Sequence, residues 1–316
     1  MIEILKFEED ILYVLDQTLL PWEEKWFEIR NVDDGVKAIK EMKIRGAPLI
    51  GVVAAYTISI EARKGGDMYK VFEKLKYSRP TAFNLFYVID RAKILYEKEG
   101  KEALYNFGEK IHKEEIERSE KIIENGLKVF PTNREINVMT YCNTGVLATG
   151  AKGTALGVII EAYKRGLVKT VYVPETRPVL QGARLTTYEL HKENVHFILI
   201  TDNEAVWLMK RGKIEMVMVG ADRIAANYDT ANKIGTLTLA LGAKEYGIPF
   251  FVVAPTSTID PSIKDGEHIP IELRKKNEIF NLYTLPFEVD ALNYAFDVTP
   301  KKYIKAIITE EGIIWL

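Results

Sequence analysis

Beyond residue 131 the chain alternates short apolar or β-branched runs, at 136–141, 170–173, 196–201, 216–219 and 250–254, with segments of helical periodicity. No other feature constrains the fold as strongly. Uninterrupted apolar runs suit strands buried on both faces, and the helical segments between them supply the crossovers that parallel strands require. The expectation is an α/β chain whose residues 132–316 form a Rossmann-like, doubly wound, mostly parallel sheet. Such sheets bind ligands outside the carboxyl ends of their strands, so the segments that follow each run are where chemistry is to be sought.

The first part of the chain reads differently. Runs at 2–7, 11–15 and 26–29, broken by Leu20-Pro21, suggest a small antiparallel β element. From residue 32 to about 129 the periodicity is helical. Asp33 and Asp34 open one helix; Arg45-Gly46-Ala47-Pro48 stops it and starts a second, apolar on most sides; Ser78-Arg79-Pro80-Thr81 opens a third; and a charged helix over 101–129 follows. The expected domains are therefore 1–131, a short β element followed by helices, and 132–316.

Composition sets limits on function. The chain has 316 residues, 47% hydrophobic and 28% charged, which suits an ordinary globular protein of two domains. A net charge of -2 gives no electrostatic case for nucleic acid or an anionic membrane as partner. The one cysteine excludes an intrachain disulfide, and four scattered histidines give no ligand spacing of the zinc type, so no metal is expected. The opening MIEILKFEED is acidic where a signal peptide is basic, and no apolar run approaches the roughly 18 to 20 residues of a membrane helix. A cytoplasmic protein is expected, and the abundance of Lys and Glu with few Gln suits a thermophile.

Between the runs at 216–219 and 250–254 lies a crowded polar loop of Asp222, Arg223, Asn227, Asp229, Asn232 and Lys233. Asp222, just past a strand end, can be held rigidly and partly desolvated, as general acid or base work demands; alone it could equally cap a turn. Asn232, Lys233, Gly235 and Thr236 lead into a helix whose first amides and positive dipole end favour an anion. With the Lys charge added, a phosphate is the expected guest, although Lys233 alone could be a solvated charge. Cys142 stands before a Gly-rich turn, as a small buried hydrophobe or, near a helix N-terminus, as a thiolate base or nucleophile. That turn is no nucleotide P-loop, because Ala151 separates Gly150 from Lys152 and Gly153 stands where a magnesium-binding Ser or Thr belongs; the dinucleotide fingerprint is also missing, and no cofactor is expected. Arg45 and Arg79 sit at helix starts, beside amides that could share an anion or as salt-bridge partners of neighbouring helices. Glu175, Arg177, Gln181 and Arg184 fall after a second strand, where Glu175 and Arg177 could simply pair with each other.

Strings spread over nearly the whole chain carry a resemblance: VLDQTLLP, RGAP, SRPTAFNL, YCNTGVLATGAKGTALG, ETRPVLQGARLT, VGADRIAANYDTANKIGT, APTSTID and NYAFDVTP. They closely resemble the methylthioribose-1-phosphate isomerases, relatives of the regulatory α, β and δ subunits of a translation-initiation exchange factor. The ETRP and NKIGT elements are shared with ribose-1,5-bisphosphate isomerases, whereas the ADRIAAN loop and APTSTID favour the methylthioribose branch. The resemblance implies conversion of 5-methylthioribose 1-phosphate into 5-methylthioribulose 1-phosphate in methionine salvage, with Cys142 and Asp222 catalytic. It also implies Arg45, Gly46, Ala47, Arg79, Gln181, Asn232 and Lys233 on the phosphorylated sugar, and a homodimer. The competing readings are the bisphosphate isomerase, which needs more positive charge in the methylthio pocket, and a non-catalytic partner-binding protein, which has no need of Cys142 and Asp222.

Overall fold

The computed structural model describes residues 2–79 and 83–316, and the chain divides into two compact units, 1–120 with 145–153, and 121–144 with 154–316. The expected boundary at 131/132 falls inside the second unit. The reason is apolar: Ile122 and Ile123, near the end of the last long helix of the first part, belong to the core of the sheet. Residues 145–153 return to the first unit.

The first unit opens with β1 (Leu5–Glu8), β2 (Ile11–Leu15) and β3 (Trp26–Ile29), an antiparallel sheet in that order, as the sequence suggests. Helices α1 (Val32–Lys40), α2 (Ala47–Arg63), α3 (Met68–Lys76), α4 (Phe83–Glu99) and α5 (Phe107–Leu127) follow, and α6 (Val146–Thr149) is the short return segment. α2 is the axis of the unit, buried along most of its length, as its nearly unbroken apolar sequence requires, and packed by α1, α3, α4 and α6. Local chemistry sets the ends. Asn31 caps α1 by accepting from the amides of Asp33 and Asp34, and Pro48 opens α2. The expected helix over 101–129 is interrupted, a 3-10 turn at Lys101–Leu104 preceding α5.

In the second unit, seven strands form one sheet in the order β14-β13-β10-β7-β4-β5-β6. They are β4 (Ile136–Met139), β5 (Val168–Pro174), β6 (Phe197–Ile200), β7 (Met216–Val219), β10 (Phe250–Val253), β13 (Ala306–Thr309) and β14 (Gly312–Trp315), parallel except for β14. Side chains alternate between two cores. Val138, Met216, Met218, Phe251 and Val253 meet Leu156, Val158 and Ile159 of α7 (Ala155–Lys164). Met139, Val217, Val219, Phe250 and Val252 meet Ala205 and Met209 of α9 (Glu204–Lys210) and Leu239 and Ala240 of α10 (Thr236–Glu245). Both faces are covered, at about 1.5–3 kcal/mol for each large side chain fully buried.

One expectation is corrected. The polar segment between β7 and α10 is not a loop but a hairpin, β8 (Arg223–Ala225) and β9 (Thr230–Lys233), in a second sheet ordered β11-β8-β9-β12 with β11 (Ile259–Asp260) and β12 (Phe296–Thr299). Its strands are short and mix polar residues with the buried Ile224, Ala225 and Ala231, and β9 pairs with β12, a partner far along the chain that no local pattern announces.

Candidate functional site

β4 is flanked by β5 on one side and β7 on the other, and the helices that follow β4 and β7 pack on opposite faces of the sheet. That is the topological switch point, where the connections diverge and leave a crevice at the carboxyl ends. Cys142 follows β4, Asp222 follows β7, and Gln181 follows β5, so three predicted residues emerge from three adjacent strand ends.

Cys142 is 5% exposed, lies in the apolar cluster with Tyr141 and Tyr172, and adopts φ 61°, a left-handed conformation that is strained for a non-glycine residue. Its amide donates to Thr176 Oγ1 at 3.1 Å, and its carbonyl accepts from Thr186 Oγ1 at 2.5 Å. Next to it, the Asn143 side-chain amide donates to the buried Glu189 carboxylate at 2.8 Å. Asp222 is half-buried between β7 and β8, its amide donating to Ala231 O at 2.9 Å. Gln181 is buried, and its Oε1 has no hydrogen-bond partner among the described residues. A buried acceptor left unpaired in this way costs about 1–3 kcal/mol, which a donor on a bound ligand would relieve.

Asn232 and Lys233 end β9. Asn232 is buried and donates to Thr236 Oγ1 at 3.0 Å; Lys233 donates to Ala295 O at 3.0 Å and lies 4.6 Å from the Phe296 ring centroid. The expectation of a phosphate on the first amides of the following helix is corrected. The Gly235 and Leu237 amides donate to the two carboxylate oxygens of Asp297 at 2.7 and 3.1 Å, so the protein supplies its own anion there. Burial pushes the Asp297 carboxyl up to about 6, against the pull of those amides and of Lys233. Tyr141, the neighbour of Cys142, donates its hydroxyl to Ile234 O at 2.9 Å and so ties the end of β4 to this turn. Gly235, at φ 103°, is required there, because a Cβ would lie 2.2 Å from the Tyr141 hydroxyl.

A second acidic group stands beside the Cys142 anchor. Asp202 accepts from the amides of Thr176 and Arg177, both at 2.7 Å, and burial raises its carboxyl above the usual range. Glu175 is raised as well, by burial first and then by the charge of Asp202. Arg177 points its guanidinium at the Pro178 and Ile279 carbonyls.

Arg45, Gly46, Ala47 and Arg79 belong to the helical unit. Arg45 is half-buried in the turn before α2; Gly46 has φ 93° and a Cβ on it would meet Ala148 O at 2.3 Å, which is why this turn needs glycine. Arg79 is half-buried after α3, and Pro80 and Thr81 of its motif lie outside the described residues. Sequence reasoning missed Tyr141, Thr176, Thr186, Glu189 and Asp297. The two threonines and Asp297 stood inside the quoted strings ETRPVLQGARLT and NYAFDVTP, but the roles they have depend on tertiary hydrogen bonds. Among the described residues no group of three or more His, Cys, Asp or Glu is placed to hold a metal, and no helix is long and apolar enough to cross a membrane.

Residues 43–315 match the Initiation factor 2 subunit family. A methylthioribose-1-phosphate isomerase of Sulfurihydrogenibium sp. is 46% identical over 99% of this chain and 93% of its own length. A 5-deoxyribose 1-phosphate isomerase of Petrotoga mobilis is also 46% identical, over 96% of this chain and 92% of its own. The crystal structure of 5-methylthioribose 1-phosphate isomerase from Pyrococcus horikoshii OT3 superposes with a TM-score of 0.92 at 40% identity, covering 100% of this chain and 93% of that one.

Proposed function

The chain belongs to the Initiation factor 2 subunit family, and we propose that within it the protein is an aldose–ketose isomerase that converts 5-methylthioribose 1-phosphate into 5-methylthioribulose 1-phosphate in methionine salvage. One observation carries the reading in the structure itself: Cys142 and Asp222 stand on adjacent strand ends at the topological switch point of the sheet. A partner-binding protein has no need of a strained cysteine and a half-buried acid at that place.

The chemistry follows from the substrate. Its anomeric oxygen carries the phosphate, so the ring cannot open as a free aldose does. Asp222 protonates the ring oxygen, the bond from that oxygen to C1 breaks, and the developing cation is stabilised by the phosphate-bearing oxygen. Cys142 then takes the C2 proton, its electron pair forming the C1–C2 enol. Protonation at C1 and loss of the C2 hydroxyl proton to Asp222 give the ketose with its phosphoester intact. A second route makes no use of Cys142 as a base and leaves it among the apolar side chains that surround it. There hydride moves from C2 to C1 as the C2 hydroxyl loses its proton, and Cys142 shapes the cavity. Gln181, whose Oε1 has no partner among the described residues, accepts from a sugar hydroxyl, and Asn232 and Lys233 hold phosphate and sugar.

Turnover is to be compared on 5-methylthioribose 1-phosphate, 5-deoxyribose 1-phosphate and ribose 1,5-bisphosphate. Preference for the first supports the assignment, preference for either other substrate moves the protein to that specificity, and inactivity on all three overturns the isomerase. With deuterium at C2, loss of label to water identifies proton abstraction and retention at C1 identifies the hydride shift. Gel filtration tests a homodimer, which the solvent-exposed Ile198 and Leu199 on the sheet's edge strand β6 support, and fractionation of the source cells tests the cytoplasmic location.

A further inference from the structure

We propose that Thr176 and Thr186 are positioning residues that hold the Cys142 peptide in its left-handed conformation and thereby aim the thiol. The proposal rests on the assignment of Cys142 to the reaction. At φ 61° this cysteine occupies a region where L side chains are strained, and such a conformation persists only where the surroundings over-determine it.

Two hydroxyls are part of those surroundings. Thr176 and Thr186 are both 0% exposed and stand near the two ends of the segment that connects β5 to the next helix, α8 (Thr187–Lys192). Thr176 Oγ1 accepts the Cys142 amide and spends its own proton on Pro174 O at 3.2 Å. Thr186 Oγ1 gives its proton to the Cys142 carbonyl and accepts from the Asn143 side-chain amide at 3.3 Å. Each hydroxyl therefore acts once as donor and once as acceptor, and together they hold both polar groups of the Cys142 backbone. Thr176 is itself fixed, at φ 65° and by its amide on Asp202. A chain of bonds thus runs from Asp202 through Thr176 to Cys142. The direction of the Cα–Cβ bond follows from φ and ψ, so releasing this peptide into the β region would swing the sulfur away from its present direction.

The sequence contains one cysteine, so alkylation of the native protein by iodoacetamide reports Cys142 alone. Thr176→Val and Thr186→Val keep shape and remove the hydroxyl; Thr176→Ser and Thr186→Ser restore it. We expect kcat to fall by roughly tenfold to a hundredfold in the valine variants, with KM for the phosphorylated sugar changed by less than about threefold, because an aim is lost and not a substrate contact. The alkylation rate changes in the same variants, and both rates return in the serine variants. Wild-type kcat and alkylation rate in both valine variants would overturn the proposal, as would serine variants as impaired as valine, or a rise in KM alone. Should a valine variant fail to fold, exchange of the Cys142 amide in the wild-type protein decides: protection like that of β4 is expected, and exchange at loop rates refutes the clamp. Alkylation and amide exchange need no substrate, so they test the clamp even if wild-type isomerase activity is missing. Turnover with unimpaired valine variants sinks the clamp alone.

Discussion

Replacing Asp297 by Asn sets two effects against each other. Counting hydrogen bonds, the carboxylate accepts at both oxygens, from Gly235 and from Leu237, whereas an amide accepts at one and turns an NH2 group toward the other. That loss alone would destabilise by about 1–3 kcal/mol. Burial acts the other way: it is the largest influence on this carboxyl and raises it from 3.8 to about 6 despite the two backbone amides and Lys233. A raised acid is favoured in its neutral form by folding. Its stabilising contribution is fully present below about pH 4 and disappears as pH rises through about 6, leaving the ionised group a net cost of about 3 kcal/mol at pH 7. The raised value already contains the benefit of the amides, so burial wins. Asn resembles the protonated acid in shape and in its single accepting oxygen. Asp297→Asn is therefore expected to match wild type in stability near pH 4 and to exceed it by up to about 3 kcal/mol near pH 7. Urea unfolding of both proteins across that range checks it. A variant less stable at neutral pH, or a difference that does not change with pH, would show that burial does not dominate at Asp297.

Three further outcomes are expected. Gln181→Met removes a buried acceptor that has no partner, so melting temperature should hold or rise while KM for the phosphorylated sugar rises about tenfold; unchanged KM would separate Gln181 from substrate. Gly46→Ala places a Cβ 2.3 Å from Ala148 O at a left-handed backbone position and should destabilise the helical unit by more than about 1 kcal/mol, measured by urea unfolding; a neutral result would contradict the packing of that turn. Tyr141→Phe breaks the bond to Ile234 O and should cost about 1 kcal/mol in stability and raise KM, since the turn carrying Asn232 and Lys233 loses an anchor; an effect on neither would show the tether to be idle.

Much of this was legible in the sequence, for a physical reason. Runs such as 216–219 and 250–253 are apolar throughout because both their faces are buried, and a pattern that strong survives without tertiary information. That Cys142 and Asp222 follow strand ends was visible in the runs 136–141 and 216–219 that precede them. The hairpin at 223–233 was not visible, since its strands are only three and four residues long and β9 pairs with β12 at 296–299. Nor was the occupant of the α10 N-terminus: Gly235 and Lys233 do mark an anion site, but the anion is the side chain of Asp297. The left-handed backbone at Cys142 had no local signal at all, because cysteine does not favour it and the hydroxyls of Thr176 and Thr186 that bond its peptide lie more than thirty residues away.

The isomerase activity and its two residues are tested together by steady-state turnover of 5-methylthioribose 1-phosphate by the purified protein beside Cys142→Ser and Asp222→Asn. Robust wild-type turnover is expected, with a fall in kcat of at least about a hundredfold in each variant and the fold retained by circular dichroism. A wild-type protein that does not isomerise the substrate, or variants that turn it over at the wild-type rate, would contradict the assignment.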